Sequence, residues 1–158
     1  MSATVTMRVY TGSGAGTESS AQIGFDLVSI DSAENSPSNR STNKVAPGSN
    51  SFEKWLRLRL DAADGKTVSN FWVERTGDLP DGVVVKIGTT ETPATPTASE
   101  STVARETMAD GRRYWFDAGS YDEAGDHTRY LVLQEQVAAD AADGAIDTQT
   151  FEWGWSAV

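Results

Sequence analysis

The string Asp-Ala-Ala-Asp-Gly occurs twice in this chain, at Asp61–Gly65 and Asp140–Gly144, each time after an apolar run and shortly before another. Asp-Gly supplies the positive φ of tight hairpin and bulged turns, because glycine has no Cβ to clash and aspartate tolerates the left-handed region. Asp81-Gly82 and Asp110-Gly111 repeat the dipeptide. Turns this frequent, separated by short apolar runs, predict a β architecture.

The 158 residues suit one domain spanning residues 1–158, long enough to bury a sizeable core without covalent staples. The absence of cysteine removes disulfides, thiolate metal sites and cysteine nucleophiles, and leaves the redox compartment open. Apolar runs are far shorter than a membrane span, and Met1–Thr4 has neither a basic head nor a hydrophobic stretch. The expectation is therefore a soluble protein with no conventional secretion signal and no membrane partner. A net charge of -10 repels phosphate backbones and anionic lipid, so nucleic acid is not an expected partner either. The scarcity of lysine, four against nine arginines, fits a GC-rich or a salt-adapted host.

Along the chain, Val5, Met7 and Val9 alternate with polar neighbours in 4–10, the period of a half-buried strand. Further strands are expected at 22–30, 52–60, 67–74, 82–87, 112–117, 127–137 and 145–155, and residues 101–108 fit either a helical turn or an edge strand. In the 52–60 strand Leu56, Leu58 and Leu60 share one face, with Trp55, Arg57 and Arg59 on the other. Phe151, Trp153 and Trp155 share a face of the last strand. Two long polar segments interrupt the pattern, near 31–50 and 88–101. The second holds Pro93 and Pro96, which cannot donate to a ladder and keep their neighbours extended. Eight or nine strands at this spacing predict an all-β fold, an antiparallel β-sandwich or a jelly-roll-like barrel with long surface loops.

No constellation of catalytic residues stands out. His127 is the lone histidine, so any base or metal-ligand role for histidine falls to it; with no second histidine and no nucleophile-elbow sequence, it reads as a residue leading into a strand. The chain is expected not to be an enzyme and to need no cofactor. Asp122, Glu123 and Asp126, close to Asp117, form an oxygen-rich loop that would suit a structural calcium ion but lacks the ligand pattern of an EF-hand. Gly12, Gly14 and Gly16 have no following Lys-Ser or Lys-Thr and read as a flexible loop. The five tryptophans Trp55, Trp72, Trp115, Trp153 and Trp155 fit core or interface positions, or a carbohydrate-binding face on a β-sandwich. The expected interface residues are Trp55, Arg57 and Arg59 on their shared face, with Pro93 and Pro96 in the extended segment.

Phe52–Arg59, the Asn70-Phe71-Trp72-Val73 strand, the Leu79–Val83 turn, Lys86–Thr90 running into Thr95-Pro96-Thr97, and Tyr130–Val137 with the Gly144 turn after it together resemble small virion structural proteins of tailed viruses. The resemblance spans residues 50–158 and rests on the order and character of strand segments. It implies a β-rich, catalytically inert protein assembled in many copies on a capsid or tail. The expectation is an accessory capsid protein of decoration or turret type, a symmetric homo-oligomer that contacts the major capsid protein or other virion proteins. A tail or neck component and a carbohydrate-binding module are the alternatives.

Overall fold

The computed structural model describes residues 2–142 and 149–158. Two antiparallel sheets pack as a β-sandwich. The larger has the order β2-β1-β3-β8-β5-β6, and the smaller the order β7-β4-β9. The strands are β1 (Thr4–Thr11), β2 (Thr17–Glu18), β3 (Lys54–Ala62), β4 (Val68–Thr76), β5 (Val83–Thr90), β6 (Glu106–Thr107), β7 (Arg113–Tyr121), β8 (Tyr130–Val137) and β9 (Thr150–Ala157). The first Asp-Ala-Ala-Asp-Gly string turns β3 into β4: Asp64 and Gly65 have φ of 51° and 72°, and Lys66 N–H donates to Ala63 O. The second string ends outside the described residues, as does the start of the expected 145–155 strand.

Period-two alternation builds the core between the sheets. Met7, Val9, Leu56, Leu58, Leu60, Val85, Ile87, Leu131 and Leu133 face inward from the large sheet, meeting Val68, Phe71, Val73, Tyr114 and Phe116 from the small one. Phe151, Trp153 and Trp155 of β9 pack against the same cluster from one face, as their spacing predicts. A second buried cluster, Tyr10, Ala15, Trp55, Ala104, Tyr130 and Val132, lies on the opposite side of the large sheet.

The segment 22–30 is not a strand. A single bridge, Met7 to Gln22, is its one ladder contact. Phe25 and Leu27 do pack on the core, which is the alternation visible in the sequence. Between them Asp26, 2% exposed, accepts from Ser36 N–H and Asn39 Nδ2 at 3.0 Å and from Arg40 Nη1 at 2.7 Å. These bonds draw the long polar segment of 31–50 onto its own domain, where it forms helix α1 (Pro37–Thr42), whose N-cap Ser36 accepts from Asn39 N–H. Elsewhere the boundaries shift: β7 runs on to Tyr121, residues 101–108 supply the two-residue edge strand β6, and β8 begins at Tyr130, with His127 held by one bridge to Arg59.

Candidate functional site

On the outer face of the small sheet, alternation leaves Trp72 and Glu74 of β4 and Arg113 and Trp115 of β7 pointing away from the core. Trp72 pairs across β4 and β9 with Gly154, where a Cβ would overlap the indole, so the ring lies close against the neighbouring strand. The Arg113 guanidinium sits 3.9 Å from the Trp72 ring centroid, and its Nε is 3.3 Å from Glu74 Oε2. Trp115 meets Trp72 edge-on, at 6.5 Å and 60°, and is itself 63% exposed. A cation-π stack, an ion pair and a tight strand contact thus hold in place a patch that presents one large indole to solvent.

The row Trp55, Arg57, Arg59 lies on the outer face of the large sheet, and its own chain covers much of it. Trp55 is 0% exposed, packed edge-on to Tyr130 at 5.5 Å, with Nε1 donating to Glu53 Oε2 at 3.0 Å. Arg57 lies over the Tyr130 ring at 4.5 Å and donates through Nε to Thr128 O. Arg59 Nη1 is 3.6 Å from Asp61 Oδ1. Asp61 also receives Thr6 Oγ1 and Arg8 Nη2; burial works to raise its carboxyl, and the bonds from Thr6 and Arg8 more than offset this, leaving it below the ordinary carboxylate range.

The cover over Trp55 is the 91–104 segment that follows β5. Glu53 N–H donates to Thr97 O, Glu53 Oε1 accepts from Ser101 Oγ, and Gln134, 0% exposed, donates through Nε2 to Ser51 O and Ser99 O while its Oε1 accepts from Ser101 N–H. Within this strap Pro96 is buried and Pro93 is exposed. Between the strap and the sheet lies an open cleft of about 430 Å³, lined by Lys86, Glu100, Ser101, Arg105 and Gln136 among others.

At the far end of β1, Glu18 Oε2 accepts from Tyr10 Oη at 2.8 Å and lies 3.3 Å from His127 Nε2. Burial, followed by the bond to Glu18, raises the Tyr10 phenol well above its ordinary value. Burial and the Arg57 charge lower the pKa of His127, with Glu18 acting against them. In the acidic loop, Asp126 Oδ2 accepts from Glu123 N–H, while Asp122 and Glu123 point to solvent. Asp117 turns inward and takes Tyr121 Oη and the N–H groups of Gly119 and Arg129. Among the described residues no three acidic or histidine side chains converge as a metal site.

No family model, curated protein or solved structure matches this chain with significance. The site is therefore read from its own geometry. Of the residues named from sequence, Arg57, Arg59 and Pro93 keep open surface, whereas Trp55 and Pro96 are enclosed by their own chain. The Trp72, Arg113 and Trp115 patch was readable in principle: Tyr114 and Phe116 are apolar at period two in β7, so Arg113 and Trp115 must face outward.

Proposed function

We infer that this chain is a non-enzymatic structural protein of a tailed-virus particle. It acts as an accessory capsid subunit of decoration or turret type, docked on the outer shell as a symmetric oligomer against the major capsid protein or other virion proteins. The observation that carries this reading is the Trp72, Trp115 and Arg113 patch, because rigidly held Trp and Arg side chains are the residues that most often form the energetic centres of protein interfaces. The acidic charge supports an outer position over one against packaged DNA. Immunogold labelling, with antibody to the recombinant chain, of particles purified from the source culture tests it. Gold over the shell is expected; gold at the tail or neck would give the role to those parts instead, and bare particles would overturn the virion reading.

One observation favours a second reading. The Trp115 indole is open enough to stack on a sugar ring, as in a carbohydrate-binding β-sandwich. Glycan-array binding that is lost in Trp115→Ala would replace the virion assignment with that one.

A further inference from the structure

The four edges of the two sheets are not alike. β2 and β6, which end the large sheet, are two residues long, and short edges give a second chain little to pair with. The small sheet ends in two long strands, β7 and β9. Phe25 packs on Phe151 of β9 at 4.8 Å, and the one charged side chain of β9 is Glu152. Among the described residues the backbones of β9 and of β7 each bond to β4 alone, so both outer rows are unpaired; β7, whose register against β4 shifts between Ser69 and Trp72, has the exposed Trp115 beside it.

The charges along β7 are divided between its ends. Arg112 and Arg113 stand at its start, 64% and 52% exposed, although Glu106 and Glu74 lie 3.6 Å and 3.3 Å from them. Directly after its last residue come Asp122 and Glu123, both exposed and with no cation of the described chain within ion-pair distance. A strand that is basic at one end and acidic at the other is complementary to itself when paired antiparallel, and it is repelled by itself when paired parallel.

We propose that the β7 edge is the self-association surface of this protein: two copies pair antiparallel about a two-fold axis near the middle of β7, setting Arg112 and Arg113 of each against Asp122 and Glu123 of the other. The two three-stranded sheets become one six-stranded sheet, unpaired backbone groups on either side of Gly119, whose N–H is held by Asp117, gain partners, and Trp115 is covered near the axis. The proposal rests on the reading that the chain assembles in repeated copies, and it names the strand and symmetry involved.

Charge reversal tests it in a way that misfolding cannot imitate. Sedimentation of the wild-type chain should give a species of twice 16.9 kDa. R112E/R113E and D122R/E123R should each be folded by circular dichroism and sediment as monomers, since each sets like charges against like. Mixed together they should restore the dimer, because in the mixed pair both contacts are again opposite in sign. A wild-type chain that stays monomeric up to its solubility limit would overturn the proposal and leave the β7 edge to a different protein. A dimer that survives either double substitution, or a mixture that stays monomeric, would overturn it too. Particle labelling reads out separately: a monomer that decorates particles rejects the β7 pairing and the preformed oligomer but keeps the virion assignment, and a dimer that decorates none rejects only the virion reading.

Discussion

Gly88 of β5 lies directly beneath the carbonyl of Val103, so close that a Cβ built on Gly88 would overlap that oxygen. The strap that covers Trp55 can cross the large sheet at this height only because position 88 has no side chain. Gly88→Ala should lift the strap and cost about 2 kcal/mol, in the range of other overpacking substitutions. The loss should be read in thermal melts, together with faster amide exchange at Ala104 and Glu53. Unchanged exchange at those amides would show that the strap is not held by this contact.

Gln134 pins the same strap from below through bonds to Ser51, Ser99 and Ser101. Gln134→Leu keeps the volume but takes the partner from the buried Ser51 C=O and Ser101 N–H, at about 1–3 kcal/mol for a group so stranded. Limited proteolysis should then cut between residues 97 and 101 in the variant before it cuts wild type. A wild-type cleavage pattern would mean that packing on Trp55 suffices to hold the strap.

Asp26 plays the corresponding part for the 31–50 segment. Asp26→Ala removes the acceptor of three donors and should release α1, lowering stability by roughly 2–3 kcal/mol and letting trypsin cleave the loosened backbone after Arg40. Arg40→Ala, which leaves two of the donors in place, should cost less. The reverse order would assign the anchoring to the ion pair alone, whose arginine is 49% exposed and therefore weakly coupled.

What the sequence reveals of this fold follows from the range of the interactions. Alternation is a local signal, and it marks β1, β3 and the inward face of β9, while short apolar runs mark β4, β5 and β8. It fails at 22–30, because Phe25 and Leu27 alternate there on a covering segment whose geometry is set by Asp26 and the distant Asn39 and Arg40. The two polar segments, with few large apolar side chains, look unable to order themselves. Their order comes from buried polar side chains up to dozens of positions away, Gln134 and Glu53 above all, and nothing in the local composition marks these as anchors. The covering of Trp55 escapes sequence for the same reason, whereas the outward position of Trp115 follows from its neighbours in β7.

Glu135 gives the chain a pH dependence with a definite sign. It is 8% exposed beside the core, no hydrogen bond or ion pair reaches its carboxylate from another side chain among the described residues, and burial pushes its pKa up to about 7. Since the ordinary value is 4.5, the folded protein holds a proton here that the unfolded chain has released. Below about pH 4.5 both states are protonated and the group costs nothing; above about pH 7 both are ionised and the full penalty of burying a carboxylate is present. Stability from this group therefore falls as pH rises from 4.5 to 7, by roughly 3 kcal/mol at the 1.36 kcal/mol that each pKa unit represents. Glu135→Gln should raise the melting temperature at pH 8 and leave it unchanged at pH 4. Lys54 does not blur the result, because burial lowers its pKa only to about 8, so its own transition lies between 8 and 10.5 and runs the other way, with stability rising with pH. Chemical denaturation of both chains at pH 4, 6 and 8 measures the difference, and parallel wild-type and variant curves across the three would show that the Glu135 carboxylate is solvated in the folded protein.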